Sequence, residues 1–306
     1  SLKRNKDYST GDYISFFDKT ANNENNEIEK ISGSFINQVK NLRSQLNSIL
    51  KGNEKISVSC LLDNIKIIIN EAKNPYRLFE DMYSMKDFDD ATYIHSLNVS
   101  LVATVLAEWV NMPAEEIDKV SLAGLLHDIG KTQIPKEIIN KPGRLTPEEF
   151  EVVKQHSMLG YSIVKDLDIP ESVKLAVLQH HEKCDGSGYP YGLKEEEIND
   201  ISKIITIADI YDAMTSARCY RGPICPFEVV QTFEEDGTKK YEPKFIFPFF
   251  KGIIQSYVNK CVELSNGEIG EVIFIHQHDI TRPLVKTKDR FINLSANRDI
   301  SIKRIV

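Results

Sequence analysis

Apolar residues recur along this chain in steps of three and four for most of its length, and only near the end does the step become two. Ile28, Ile31, Phe35, Val39, Leu42, Leu46 and Ile49 fall on one helical face. Gly52-Asn53 breaks that helix. Ser57 opens a second one that buries Val58, Leu61, Leu62, Ile65, Ile68 and Ile69, and Asn74-Pro75 stops it. From Tyr76 the apolar density rises and stays helical, with His95 on or at the start of a helix carrying Leu97, Val99, Leu101, Val102 and Val105. The stretch from Ala114 to Ile129 places Val120, Leu122, Leu125, Leu126 and Ile129 inward, with Ala123 and Gly124 small enough for a neighbouring helix to approach. His127 and Asp128 sit at its end, and Gly130 suits the left-handed position that closes a helix.

Ile134-Pro135 to Pro142-Gly143 reads as an irregular crossing, and Thr146-Pro147-Glu148-Glu149 as a capping box opening the helix that leads to His156. A further helix starts at Ser172 and ends in His180-His181-Glu182. A glycine-rich loop, Asp185-Gly186-Ser187-Gly188-Tyr189-Pro190, precedes a helix from Ile201 to Arg218, and Phe245 to Tyr257 finishes the helical part. After Cys261 the pattern alternates: Val262-Glu263-Leu264, the hairpin pair Asn266-Gly267, then Val272 to Ile275, and again Ile300 to Lys303. The expected division is a helical N-terminal region at 1–84, a helical body at 85–260 and a small β module at 261–306. The first 25 residues are polar and Asn-rich and read as loosely ordered. The two N-terminal amphipathic helices suit a homodimer hairpin slightly better than extra core, and neither suits a cofactor box.

With 306 residues, 41% hydrophobic and 27% charged, the chain can hold a full-sized core. Its net charge of −7 argues against a nucleic-acid polymer as partner, so an anionic substrate needs local cations or metals. Five cysteines without a Cys-x-x-Cys, no membrane-length apolar run and no signal-peptide pattern point to the cytoplasm. The start at Ser1 reads as an excised or processed piece.

Five of the seven histidines lie in the helical body, near helix ends or on apolar helices. Buried beside an aspartate, such imidazoles are either satisfied core residues or ligands for a transition metal. His95, His127, Asp128, His156, His180, His181 and Asp209 are too many for one metal. Two metals sharing a bridging carboxylate would suit phosphoryl transfer. Spacing alone leaves the two-metal hydrolase and scattered core histidines both open. His276 and His278 sit in polar surroundings and read as a solvated loop.

The order of motifs resolves more. His95, His127-Asp128 and Asp209 resemble the ligand set of the HD superfamily of metal-dependent phosphohydrolases. His127-Asp128-Ile129-Gly130-Lys131 together with Asp185-Gly186-Ser187-Gly188-Tyr189-Pro190 is similar to the HD-GYP subfamily. Lys141-Pro142-Gly143, His156 to Gly160, His180-His181-Glu182, Asp209 to Ser216 and Arg218 to Arg221 match in order, over about residues 85–255. The resemblance implies a mainly α fold, an HD-domain helical bundle, that hydrolyses cyclic di-GMP to pGpG or GMP through a hydroxide activated by two metals. It implies His95, His127, Asp128, His156, His180, His181 and Asp209 as ligands for two divalent transition metals, iron or manganese, with Asp128 bridging. Lys131 would act on the phosphate, Tyr189, Arg218 and Arg221 would contact the dinucleotide, and Asp212 would contact it or orient a ligand, water or base. Three-metal members carry a Glu where this chain has Ala91, and Asp90 lies one residue off, so two metals are expected. Cys184 and Cys219 replace a tryptophan and a proline common in the family, and read as ordinary small residues. A cyclic GMP-AMP substrate would use the same metals. A cyclic-dinucleotide receptor with little turnover is the alternative from another class, and a mononucleotide phosphohydrolase is a third that fits the Tyr189 loop less well.

Overall fold

The computed structural model describes residues 35–51, 58–84, 91–216, 224–236 and 239–306. The Asn-rich N-terminus, Ile28, Ile31, Asp90, Arg218, Cys219 and Arg221 lie outside them. In chain order the helices are α1 (residues 35–50), α2 (Val58–Ala72), α3 (Pro75–Ser84), α4 (Ala91–Trp109), α5 (Ala114–Leu126), α6 (Lys136–Ile139), α7 (Pro147–Lys154), α8 (His156–Val164), α9 (Glu171–Gln179), α10 (Asp200–Thr215), α11 (Pro226–Asp236) and α12 (Pro243–Ser256). A 3-10 turn, Ile129–Gln133, joins α5 to α6. Five strands follow, β1 (Cys261–Leu264), β2 (Ile269–His276), β3 (Asp279–Thr287), β4 (Phe291–Asn293) and β5 (Ile302–Ile305), in one antiparallel sheet ordered β4-β3-β2-β1-β5. The chain is mainly helical with a small β module at its end, as its periodicity implies.

The centre of the bundle is built by α4, α5, α9 and α10, with α8 laid on the 3-10 turn and on α9. α4 and α5 approach so closely that a Cβ added at Gly124 would lie 2.4 Å from the Cα of Ser100. Hydroxyls cement the same contact: Ser100 Oγ donates to the Ser121 carbonyl at 2.7 Å, and the Thr104 and Ser121 hydroxyls meet at 2.7 Å. α7 begins with the expected capping box. Thr146 accepts from the Glu149 amide, and Glu149 accepts from the Thr146 amide.

The structure departs from the sequence reading in several places. Gly130 does not end a helix in the left-handed region; it lies inside the 3-10 turn, and its φ is not positive. What demands glycine there is contact, since a Cβ would fall 1.9 Å from the His156 carbonyl oxygen. The crossing from Ile134 to Gly143 contains the short helix α6. β3 and β4 were not legible in the alternation, because Arg282-Pro283 interrupts β3. A register shift between Phe274 and His276 in the facing β2 accommodates that interruption. His276 belongs to β2, its Nε2 3.0 Å from Asn293 Oδ1. The apolar stripe on α1 is covered within the chain. Phe35, Val39, Leu42, Leu46 and Ile49 are buried in the same core as α4, α5 and α10. Among the described residues, no helix is long and apolar enough to cross a membrane.

Candidate metal centre

Five segments deliver the seven candidate ligands to one place. α5 ends at Leu126, so His127 and Asp128 follow where the helix turns into the 3-10 segment. His156 opens α8, His180 and His181 follow the last turn of α9, and His95 and Asp209 come from the interiors of α4 and α10. Three subsets have donor atoms within 4.8 Å of one another: His156, His180 and His181; His95, His127 and Asp209; His127, Asp128 and His180. They overlap through His127 and His180. Asp128 lies among them, its Oδ1 3.4 Å from His156 Nε2 and 3.9 Å from His180 Nε2, and its Oδ2 3.4 Å from both His127 Nε2 and His95 Nε2.

Local hydrogen bonds fix which imidazole nitrogen faces inward. Nδ1 of His127, His156 and His180 each lies against the carbonyl three residues earlier, at 2.8, 2.6 and 2.9 Å from Gly124, Val153 and Val177. A carbonyl only accepts, so Nδ1 carries the proton and Nε2 turns a lone pair to the centre. The Nε2 atoms of His156 and His180 then stand 3.1 Å apart, two acceptors face to face. His127 Nε2 and Asp128 Oδ1 are buried without any hydrogen-bond partner. Such a set is costly on its own and becomes favourable around cations. The residues therefore fit a transition-metal centre with nitrogen-rich ligation.

Electrostatics agree with this geometry. Burial, reinforced by His181, His127 and His156, holds His180 well below the ordinary histidine value. Burial likewise lowers His156 and pushes His181 down to about 3. These imidazoles are neutral, the form that ligates. Burial opposes the charge on Asp128, yet the Lys131 ammonium beside it holds its carboxyl well below the usual carboxylate range. Asp209 is held low by its hydrogen bond from His95, again against burial. His95 is the exception among the imidazoles. Burial lowers it, but contacts to Asp128, Asp209 and Asp212 raise it well above the usual value.

Around the ligands lies a supporting layer. Asp212 is 2% exposed; its Oδ2 sits 2.6 Å from His95 Nδ1, and its Oδ1 accepts from Asn98 Nδ2 at 2.8 Å and Ser216 Oγ at 2.9 Å. Both oxygens of the Asp212 carboxylate are thus engaged with His95, Asn98 and Ser216. Lys131 Nζ lies 2.5 Å from Asp128 Oδ2 and stays about a quarter exposed. Tyr189 lies over His181, ring centroids 4.6 Å apart and 31° from parallel. Its loop is tied down by Glu182, buried, whose two oxygens accept from the amides of Tyr191 at 2.7 Å and Leu193 at 3.0 Å.

A family model for the HD domain matches residues 70–245, more than half of the chain. The chain belongs to the HD domain family. Two curated relatives are named cyclic di-GMP phosphodiesterase. The one from Pseudomonas aeruginosa is 34% identical over 229 residues, covering 74% of this chain and 54% of the relative. That from Thermotoga maritima is 37% identical over 179 residues, 58% of this chain and 49% of the relative. The chain thus spans about half the length of the curated relatives it matches. Its fold is also that of Bd1817, an HDG"Y"P protein from Bdellovibrio bacteriovorus. That likeness has a TM-score of 0.59 at 18% identity and covers 79% of this chain and 80% of the other.

In this HD domain all seven candidate ligands come together, and Lys131 and Tyr189 flank them. Arg218 and Arg221 fall outside the described residues. Sequence reasoning did not single out Asn98 or Ser216. Asn98 had a weak signal as a polar residue three positions after His95. Glu182, which the sequence offers only as the end of the His180-His181-Glu182 motif, is a loop anchor by its burial and two amide partners.

Proposed function

We propose that this HD domain is a metal-dependent phosphodiesterase that hydrolyses cyclic di-GMP to pGpG or GMP. The observation that carries the reading is the set of unprotonated Nε2 atoms converging on Asp128, with Lys131 bound to the same carboxylate. The names of the curated relatives support the substrate. A receptor that only binds a dinucleotide has no need of such a centre. His95, His127, Asp128, His156, His180, His181 and Asp209 would hold two divalent ions, iron or manganese. α4 begins at Ala91, one turn before His95, so that position brings no carboxylate for a third ion.

The bound metals supply Lewis acidity, making a water nucleophilic near neutral pH and polarising phosphoryl oxygens. The protein's own groups do the rest. Asp212 holds His95 with Nδ1 toward its carboxylate, leaving Nε2 for the centre. Lys131 is the cation nearest Asp128 and, with its ammonium partly exposed, is the group to bind a phosphoryl oxygen or meet the departing one. Tyr189 presents an aromatic face, and burial pushes its phenol up, so it stays a protonated donor. Arg218 and Arg221 offer guanidinium forks suited to phosphate or a guanine edge. The odd cysteine count fits work in the reducing cytoplasm, and among the described residues Cys60, Cys184, Cys225 and Cys261 form no disulfide.

The test is anaerobic turnover of cyclic di-GMP by protein reconstituted with iron or manganese, with metal counted in the same sample. About two metals per chain and conversion to pGpG or GMP, lost in Asp128→Ala, are the expected result. Full loading and tight binding with no conversion would leave a receptor instead.

A further inference from the structure

α7 carries no buried side chain, yet it places a large aromatic beside the centre. Phe150 is 46% exposed, and its ring centroid lies 6.4 Å from that of Tyr189 at 81°. Isolated exposed aromatics are ordinary on protein surfaces. This one is not isolated. Tyr189 itself covers His181, so Phe150, Tyr189 and His181 form a chain of ring contacts that ends on a candidate ligand. Lys154, one helical turn after Phe150 and two residues before His156, has its ammonium 5.1 Å from the Phe150 ring centre and 5.7 Å from that of Tyr189. It is steadied there by Glu151 at 2.5 Å. The capping box at Thr146 fixes the start of this short helix, so the two side chains stand on a braced element.

From this arrangement we infer that Phe150 and Lys154, with Tyr189, form a corner that receives one purine base of the dinucleotide and favours guanine. The inference rests on the cyclic-dinucleotide reading above. Two perpendicular aromatic rings give a planar base one face to stack on and one edge to abut. The ammonium at the corner only donates. Guanine presents two acceptors, O6 and N7, on one edge, whereas adenine places an amino donor where guanine has O6. A phosphodiester held at the ligands leaves the attached base to extend toward the rings that adjoin His181.

The measurement is steady-state kinetics of the metal-loaded protein on cyclic di-GMP and cyclic di-AMP, for wild type, Phe150→Ala, Phe150→Trp and Lys154→Met. Phe150→Ala should raise KM for cyclic di-GMP about tenfold, with a smaller change in kcat, and Phe150→Trp should restore it. Lys154→Met should shrink the preference for cyclic di-GMP over cyclic di-AMP at least about fivefold. Both positions are surface sites, and unchanged melting temperatures will show the variants folded. If wild type turns over cyclic di-GMP while the Phe150→Ala and Lys154→Met variants keep its KM and its base preference, the corner is not a base site. If wild type turns over neither dinucleotide, the functional reading itself falls, and this inference with it.

Discussion

At the scale of single residues, the candidate centre is held by groups outside the set of candidate ligands. Asp212 is the clearest. A histidine ligand works when its second nitrogen is held by an acceptor, which fixes the ring and raises the basicity of the ligating nitrogen. For His127, His156 and His180 a backbone carbonyl of the preceding turn does this, and no side-chain substitution can remove it. His95 has only the Asp212 carboxylate, itself held by Asn98 and Ser216. Asp212→Asn keeps the shape and removes the charge. It should weaken metal affinity about 10- to 100-fold, read by competition with a chromogenic chelator, while the melting temperature of the stripped protein moves less. Unchanged affinity would mean His95 is oriented by packing alone. The candidate ligands could be grouped only through the order of motifs, because spacing along five segments does not encode convergence. Phe150 and Lys154 gave no signal at all, since an exposed aromatic and an exposed lysine on an amphipathic helix are what any surface shows.

At the scale of elements, close approach decides the architecture more than propensity does. The hydrophobic period was enough to place α2, α4, α5 and α10, whose buried faces repeat over many turns. It missed β3, where Pro283 and the buried Arg282 break the alternation. Arg282 is there because it holds the following loop, donating from Nε to the Leu294 carbonyl and from Nη2 to those of Asn297, Arg298 and Ile300. The role of Gly130 was misread for a related reason: a glycine after a helix suggests a left-handed cap, but a tertiary contact can demand it too. The 3-10 turn lies so near the start of α8 that a Cβ at position 130 would meet the His156 carbonyl at 1.9 Å and the Gly160 amide nitrogen at 2.5 Å. Backbone atoms cannot swing aside as a side chain can. Gly130→Ala should therefore cost about 2–3 kcal/mol or more of stability and displace His156 relative to Asp128. Both effects are measurable, as a lowered melting temperature and a reduced metal stoichiometry. A fully stable, fully loaded variant would show that α8 can slide without penalty.

At the scale of the whole molecule, one continuous apolar core runs from Phe35 in α1 to Ile302 in β5, with the ligand cluster set into it. Burying so many titratable groups together ties folding to pH, and in metal-stripped protein the two kinds of histidine act in opposite directions. His156, His180 and His181 have folded values below the ordinary 6.5, so below that pH the unfolded chain binds protons that the native protein refuses. Their stabilisation is complete above 6.5 and is lost as pH falls toward the folded values; for His181, at about 3, the loss reaches about 2 kcal/mol by pH 5. His95 is raised, so its contribution is complete below 6.5 and is lost as pH climbs through its elevated value. The stripped protein should then be most stable near neutrality. Its melting temperature should fall by several degrees between pH 7 and pH 5, a fall that His181→Asn reduces because the replacement cannot take the proton. A melting temperature that holds level from pH 7 to pH 5 in chelator would mean the imidazoles are hydrated and titrate normally, and the case for a buried, metal-ready centre would fail with it.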